Sequence, residues 1–207
     1  MRRLVIDSAT EACSVALYDG LQLVAGECLT LGRGHAERLV PMLSALPDKG
    51  RAEAIAVDVG PGSFTGIRVG LAAARALGIA WHVPVGGFDS LTLLAAMAAA
   101  AYPGRRIDIV TTGGHGEWFF RAFDERGAPL GPLVSAPPEA IVAMSVGEVV
   151  AGSQAEALGA LRPAPVAALL PLLPDARRFN LLPHSALTVD VTARYGRAPD
   201  ARLPGAA

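Results

Sequence analysis

The stretch that decides the fold runs from Val57 to Gly78 and reads VDVGPGSFTGIRVGLAAARALG. An apolar β-type run from Ala54 to Val59 leads into a turn of glycine and proline, and a long apolar segment follows. Ser63 stands where a helix N-cap is expected, because its hydroxyl can accept a hydrogen bond from a backbone N–H two or three residues later. The pattern predicts a buried strand, a tight turn and a helix.

Small residues recur every four positions along the predicted helix, at Gly66, Gly70 and Ala74, and this spacing places them on one face. A face without side chains lets another backbone approach closely. The turn departs from phosphate-binding motifs, because no lysine follows Gly66 and the third glycine of a dinucleotide fingerprint comes one residue late. Two interpretations stay open: a simple strand-to-helix connection, or anion binding at the helix N-terminus.

Three apolar runs precede this stretch, between residues 4 and 29, and the Asp19-Gly20 pair is a strong hairpin signal. We therefore expect the chain to open with three antiparallel strands. Asp7, Ser8 and Thr10 fall in the first hairpin loop. They are ordinary turn residues, yet a carboxylate beside hydroxyls at a strand end also suits a phosphate or Mg²⁺ site. The residues alone favour the turn.

A helix is predicted to begin near Gly34, because an apolar stripe at helical spacing follows it. Pro41 interrupts the stripe and would cost about 3 kcal/mol in a helix interior, so the helix either bends there or begins close to it. His35 has no second histidine one turn later. A lone histidine at a helix start is more often a capping or packing residue than a metal ligand. The stripe consists of His35, Leu39, Met42 or Leu43, and Leu46.

Weaker patterns predict further elements beyond the central stretch, and Pro103-Gly104 is the best candidate for a domain boundary. The predicted elements are a strand at residues 83–86, a helix at 91–101, a strand pair at 106–111 and 117–123, a loop at 129–138, a strand at 148–151, a short helix at 154–161 and a final helix at 185–195.

The composition of the 207 residues suits one compact domain or two small lobes. The net charge is −1 without a block of like charges, so there is no electrostatic footprint for nucleic acid. Cys13 and Cys28 share no redox or metal-binding motif, which favours a reducing compartment. The N-terminus lacks a signal peptide pattern and no apolar run is long enough to span a membrane, so we expect a soluble, cytoplasmic protein. No signature of a catalytic site occurs.

Three ordered segments resemble the bacterial TsaB family, also called YeaZ. Residues 6–17 (IDSATEACSVAL) are similar to the opening of the family, residues 34–42 (GHAERLVPM) to its first-helix segment, and residues 60–70 (GPGSFTGIRVG) to its most recognisable signature. Order and spacing agree over residues 4–90. Residues 194–200 also resemble a degraded form of the family's C-terminal Pro-x-Tyr-x-Arg stretch.

The resemblance implies an α/β protein with the two-lobed fold of actin, Hsp70 and sugar kinases (the ASKHA fold), built from mixed sheets flanked by helices. We expect an N-terminal lobe at residues 1–102, carrying all the recognisable motifs, and a smaller C-terminal lobe at 103–207. Its last part, the final helix and tail at about 185–207, is expected to pack back on the first lobe. The second lobe departs from the family, because residues 112–119 (TGGHGEWF) lack the acid, the arginine and the tyrosine of its Asp-Ala-Arg and Gly-Glu-x-Tyr pattern.

The resemblance also implies a role in making threonylcarbamoyladenosine beside the anticodon of tRNA. In that pathway the paralogue TsaD catalyses the transfer and holds a metal through an H-x-x-x-H pair, whose second position here is Leu39. Because leucine cannot bind a metal, we expect this chain to have no transferase or peptidase activity, no catalytic residue, no metal and no cofactor. The implied role is a non-catalytic scaffold and activator that binds TsaD and lets the ATPase TsaE engage. ATP and a divalent metal are then expected in the partners, tRNA is contacted through the complex, and the chain alone can form a homodimer.

We predict that the helices at residues 35–46 and 66–78 form the partner interface. Its candidate residues are His35, Leu39, Met42, Leu43, Leu46, Gly66, Arg68, Gly70 and Ala74. Asp7, Ser8 and Thr10 are candidates for a residual nucleotide site. One rival hypothesis is an active ATP-dependent phosphotransferase or ATPase, which only the Asp7 loop supports. The other is a metallopeptidase, for which the three protein ligands of a catalytic zinc are missing.

Overall fold

The computed structural model describes residues 1–196, which form two five-stranded mixed β-sheets with helices packed against them. The predicted tail beyond residue 196 lies outside the described residues. The α/β class and the pair of mixed sheets expected from the resemblance are confirmed. Within residues 1–196, every helix is too short or too polar to cross a bilayer.

The first sheet is built from the N-terminal part of the chain. Its strands are β1 (Arg2–Asp7), β2 (Ala12–Asp19), β3 (Gln22–Thr30), β4 (Ala54–Asp58) and β5 (Val85–Phe88). They lie in the order β3-β2-β1-β4-β5, in which β1 to β3 are antiparallel neighbours and β1, β4 and β5 run parallel. The three antiparallel strands at the start of the chain are thus confirmed. Because β1, β4 and β5 are parallel, their carboxyl ends meet at one edge of the sheet.

Two helices cover one face of the first sheet. The first, α1 (His35–Ala45), contains Pro41 in its interior, so it begins well before the proline. The second, α2 (Phe64–Trp81), starts after Ser63, whose hydroxyl accepts a hydrogen bond from the Gly66 N–H as predicted. Apolar side chains of β1, β2, β4, α1 and α2 form the buried core between the helices and the sheet.

The opposite face of the first sheet is covered by residues that are distant in the chain. Tyr18 packs there with Leu93 of α3 (Ser90–Ala101) and with Phe179, which lies in a 3₁₀ helix at Ala176–Leu181. The Tyr18 hydroxyl donates a hydrogen bond of 3.1 Å to the carbonyl that opens this 3₁₀ helix. A late segment of the chain therefore returns to the first sheet.

The second sheet repeats the strand order of the first. Its strands are β6 (Ile107–Thr112), β7 (Trp118–Phe123), β8 (Val134–Ala136), β9 (Val149–Ala151) and β10 (Ala168–Leu170). In the order β8-β7-β6-β9-β10, the first three are antiparallel neighbours and β6, β9 and β10 run parallel. Two short helices, α4 (Pro138–Met144) and α5 (Ala155–Leu161), pack on one face of this sheet.

The helix α3 lies between the two sheets. Leu91, Leu94 and Ala98 pack against the second sheet, whereas Leu93 packs against the first. This position accounts for a helix of leucine and alanine that is apolar all round, because such a helix must be covered on more than one side. The boundary predicted after residue 102 separates the strands of the two sheets, and α3 contributes to the core of both.

Two predicted elements differ from the structure. The segment at residues 129–138 was expected to be a loop, yet it contains β8, which is three residues long and too short to show an alternating pattern. The helix expected at residues 185–195 is wrong. A 3₁₀ turn at His184–Ala186 is followed by extended chain, in which half-buried Val191 and Tyr195 alternate with exposed residues. This alternation has the period of a strand and not that of a helix.

Candidate functional site

The carboxyl ends of β1 and β4 bring two buried acids together. Asp7 ends β1 and Asp58 ends the neighbouring parallel strand β4, and both side chains are fully buried. Asp58 accepts hydrogen bonds from the Gly60 N–H at 2.7 Å and from the Ser90 hydroxyl at 2.6 Å. Asp7 accepts one from the Ala9 N–H at 3.1 Å through Oδ1. Its Oδ2 atom is buried and accepts no hydrogen bond from an N–H or hydroxyl group.

Burial of the two acids raises the pKa of both carboxyl groups. Burial raises the pKa of Asp7 to about 6, and a hydrogen bond from Asp58 works in the opposite direction. Burial also raises the pKa of Asp58 well above its ordinary value, and the neighbouring Asp7 charge raises it further. Because two ionised carboxylates repel each other at a buried site, burial and the neighbouring charge both favour the protonated form of Asp58.

The hairpin loop after β1 is packed tightly against the start of α2. The Ser8 hydroxyl donates to the Gly66 carbonyl at 2.9 Å, and the Ser63 N–H donates to the Ala9 carbonyl at 2.6 Å. A side chain at Gly66 would run into the Ser8 carbonyl. The backbone of the loop therefore touches the backbone of the helix, which explains the small residues of the signature turn.

This packing limits how far a ligand can reach the candidate nucleotide-binding residues. Asp7 and Ser8 are buried, and the Thr10 hydroxyl accepts a hydrogen bond from the Ala12 N–H within its own turn. Asp7 and Ser8 are therefore closed to a phosphate in this conformation, whereas Thr10 is half-buried. The residual nucleotide site at Asp7, Ser8 and Thr10 stays a prediction, and in this conformation its polar groups, apart from Asp7 Oδ2, make internal hydrogen bonds.

His35 has a structural contact. Its Nε2 atom lies 2.8 Å from the Thr10 carbonyl and 3.3 Å from the Ala12 carbonyl, so Nε2 carries the proton and donates to this loop. Leu39 is only 1% exposed and belongs to the core of the first lobe. Among residues 1–196 there is no group of three histidine, cysteine or acidic residues that could hold a metal ion.

Most of the residues predicted for the partner interface point into the chain itself. Along α1 and α2, all of them except Arg68 are buried. A Cβ atom at Gly70 would lie 2.6 Å from Ser8 Oγ, so this glycine faces β1 and its loop. The interface stays a prediction, but these residues build the core of the first lobe. The buried set comprises His35, Leu39, Met42, Leu43, Leu46, Gly66, Gly70 and Ala74.

The exposed faces of the same two helices carry apolar residues that the sequence reasoning missed. Val40 of α1 is 60% exposed and Ile79 of α2 is 76% exposed. Ala72 and Ala76 are also exposed, and with Ile79 they share one side of α2 because they recur at intervals of four and three. The two helices contact each other. The spacing of these residues in the sequence indicates an apolar side of α2. The more regular stripe of small residues lies on the opposite side and was predicted to be the interface instead.

The exposed start of α2 carries a cluster of aromatic and cationic groups. The Arg68 guanidinium lies 3.5 Å from the centre of the Phe64 ring, and its Nε donates to the Tyr195 hydroxyl at 2.9 Å. The rings of Phe64 and Tyr195 are 4.9 Å apart. Arg68 is therefore engaged with the extended segment near the end of the described chain, a contact that no local sequence pattern indicates.

The family model that matches the chain, described as TsaD, tRNA N6-adenosine threonylcarbamoyltransferase, aligns with residues 30–158, which is more than half of the chain. The chain belongs to this family. The resemblance to its TsaB (YeaZ) members is confirmed by relatives that bear that name.

Three proteins illustrate how similar this chain is to known sequences and structures. The tRNA threonylcarbamoyladenosine biosynthesis protein TsaB of Escherichia coli is 41% identical over 101 residues, covering 46% of this chain and 43% of its own length. An uncharacterized protein of Mycobacterium leprae is 31% identical over 220 residues, covering 96% of this chain and 55% of its own. The solved structure of YeaZ from Pseudomonas aeruginosa has a TM-score of 0.73 and 28% identity, covering 86% of this chain and 87% of that one.

The matches with these curated relatives span about half of their length or less. The likeness to YeaZ, together with the two sheets of the same strand order, confirms the two-lobed ASKHA fold.

Proposed function

We propose that the chain serves the biosynthesis of threonylcarbamoyladenosine in tRNA as a non-catalytic subunit that binds a TsaD-type partner. The similarity to proteins named for tRNA threonylcarbamoyladenosine biosynthesis supports the pathway. The observation that supports the binding role is a large exposed aliphatic side chain on each of two helices in contact, Val40 on α1 and Ile79 on α2. Burial of such side chains contributes about 1.5–3 kcal/mol each, which favours covering them with a partner.

The internal contacts of the candidate catalytic groups support the non-catalytic role. His35 donates to a loop carbonyl, Leu39 fills the core, and Asp7 lies under the start of α2. None of these groups is placed to act on an external substrate. The same contacts weaken the rival phosphotransferase or ATPase, because its only support was the Asp7 loop, and the rival metallopeptidase, because Leu39 stands where a metal ligand would be needed.

The proposal includes the rest of the expected assembly. TsaE would engage once the TsaD partner is bound, and ATP and a divalent metal would be held by the partners. Contact with tRNA would be made through the complex. In the absence of TsaD, the same exposed face could pair with a second copy of this chain in an isologous dimer.

A binding experiment tests the interface. The chain is titrated with TsaD from the same organism by calorimetry, as wild type and with the double substitution Val40→Asp and Ile79→Asp. The control is Leu161→Asp, because Leu161 is also exposed, at 54%, but lies on α5 of the second lobe. We expect the double variant to lose at least tenfold in affinity and the control to bind like wild type. Equal affinity of all three chains would contradict the proposed interface.

A second experiment tests the absence of catalysis. The purified chain is incubated alone with tRNA and the complete assay mixture for the transfer, and separately with ATP and peptide substrates. We expect no turnover in any of these assays. Turnover that disappears with Asp7→Ala would contradict the non-catalytic role and favour the rival enzyme.

A further inference from the structure

The extended segment at residues 188–196, here called the strap, lies across the side of the first sheet where the parallel strands have their carboxyl ends. Thr188 forms two backbone hydrogen bonds with Gly87 of β5, of 2.8 and 2.9 Å. The Arg194 N–H then donates to the carbonyl of Val59, just beyond the end of β4, at 2.7 Å. The strap thus crosses the carboxyl ends of two parallel strands.

Side chains hold the strap to α2. Val191, Ala193 and Tyr195 pack in alternation against the core of the first lobe. Arg75 of α2 donates to the Val191 carbonyl at 2.9 Å. Arg68 donates to the Tyr195 hydroxyl and stacks on the Phe64 ring, so the strap ends in a cluster of a guanidinium and two rings.

The strap also contacts the second lobe. The Cα of Gly196 lies so close to Phe119 of β7 that a Cβ atom there would be 2.7 Å from the ring and 3.0 Å from Pro61 of the signature turn. A second link between the lobes lies nearby in the chain, where Arg121 of β7 forms an ion pair of 3.3 Å with Asp89, the N-cap of α3. Both of these side chains are largely buried.

The location of the strap indicates a function for it. In open α/β sheets, ligands bind in the crevice outside the carboxyl ends of the parallel strands. Here the Arg194 carbonyl fills the space beside Gly60, where any side chain would collide with it, and the Asp190 carbonyl would lie 2.9 Å from a Cβ atom at Gly87. The crevice of the first lobe is occupied by the chain's own backbone.

We propose that residues 188–196 are a releasable strap that closes this crevice, with Arg68 as its latch. The strap is joined to the sheet by only three backbone hydrogen bonds, and Val189 and Thr192 are exposed to solvent. The side chains that hold it, Val191, Ala193 and Tyr195, are only partly buried, and such a segment opens at a lower free energy than the fully buried strands beneath it. Release would uncover the ends of β4 and β5 while the core of the first lobe stays folded.

Hydrogen exchange of the full chain tests the strap. The probes are the backbone amides of Thr188 and Arg194, with the amides of β6 and β7 as an internal reference. The variants are Arg68→Ala, which removes the latch, and Tyr195→Phe, which removes only the accepting hydroxyl. The matched control is Arg126→Ala, because Arg126 is an exposed arginine in the turn after β7, remote in the chain from the strap.

We expect Arg68→Ala to speed exchange at Thr188 and Arg194 at least tenfold, and Tyr195→Phe to speed it about threefold, while β6 and β7 and the control variant exchange like wild type. Unchanged exchange at the strap in both variants would overturn the proposal. Faster exchange at the strap and in β6 and β7 by the same factor would also overturn it, because the strap would then open only with the whole fold. Neither readout involves TsaD, so failure here is distinct from failure of the proposed function.

Discussion

The two lobes share one strand order but bury their acids in different ways. In the first lobe, Asp7 and Asp58 end neighbouring parallel strands, and burial raises the pKa of both carboxyl groups. In the second lobe, Asp108 of β6 is equally buried, but it accepts from the Ser145 hydroxyl and the Gly147 N–H at 2.7 Å each, and the Arg162 guanidinium lies 3.9 Å away. The first lobe thus places a second acid near its buried acid, whereas the second lobe places an arginine there. Two sheets with the same strand order can therefore surround a buried acid with different groups.

The lobes also differ in the length of their elements. Strands β2 and β3 of the first lobe have 8 and 9 residues and α2 has 18, whereas β8, β9 and β10 have 3 each and α4 and α5 have 7. Long elements show their periodicity over several turns or pleats, so they are recognisable and bury more surface. The second lobe keeps the topology with short elements, so its periodicity is harder to recognise in the sequence.

The largest expected effect tests the counter-ion of the second lobe. Arg162 is only 6% exposed, and its Nη1 also donates to the Ser145 hydroxyl and the Gly147 carbonyl. Arg162→Ala leaves the buried Asp108 carboxylate without its cation, so we expect the free energy of unfolding to fall by about 3–5 kcal/mol. Urea unfolding measures the loss. Arg105→Ala is the control, because its pair with Glu148 is exposed and such pairs contribute about 0–1 kcal/mol. Equal losses for the two variants would contradict this account of Asp108.

The second prediction concerns the raised pKa of Asp7 in the first lobe. The folded-state pKa of Asp7, about 6, exceeds the ordinary value of an unfolded chain, so the folded protein binds more protons. Its stabilising contribution is complete below about pH 4 and is lost as the pH rises through about 6. We expect about 2–3 kcal/mol of stability to be lost between pH 4 and pH 7 from this group, and the decline to continue above that as Asp58 ionises. Asp7→Asn should flatten the profile between pH 4 and pH 7, measured by urea unfolding across that range. An unchanged profile would mean that the pKa of Asp7 is not raised.

The third prediction separates packing from partner binding in α2. Gly70→Leu places a side chain against the Ser8 hydroxyl and the apolar side chains of β1 and β4, and we expect a loss of about 1–3 kcal/mol in the free energy of unfolding from overpacking. Ala72→Leu is the matched control, because Ala72 lies on the exposed side of the same helix, and it should leave stability within about 0.5 kcal/mol of wild type. If Gly70→Leu left stability unchanged, the close contact between α2 and the hairpin loop would be contradicted.

The smallest expected effect concerns the strap. Tyr195→Phe removes one hydrogen bond at the surface of α2, so we expect the global free energy of unfolding to fall by at most about 1 kcal/mol, although exchange at the strap rises. Thermal unfolding compared with Tyr102→Phe, another half-exposed tyrosine, measures the difference. A larger global loss would mean that the strap is part of the cooperative core of the first lobe rather than a local unit.

The first lobe could be predicted from the sequence to a large extent. The cap at Ser63, the small residues of α2 and the hairpin at Asp19-Gly20 each have a local physical cause, and each element lies where that cause places it. The side of α2 that a partner could reach was harder to assign. Both sides of this helix are apolar, and only packing against β1 and β4 shows that Gly70 and Ala74 face inward while Ile79 faces outward.

By itself, the sequence determined the α/β class, the strand–turn–helix around Gly60 and the likeness to the TsaB family, because these depend on short-range periodicity, turn chemistry and an ordered set of motifs. Only the tertiary structure decided what the distant residues do. It brings Asp58 to Asp7 across parallel strands, Arg162 to Asp108, and Tyr195 to Arg68 over 127 positions of the chain. Such contacts depend on how the elements pack and leave no mark on local spacing, so no reading of one stretch could reveal them.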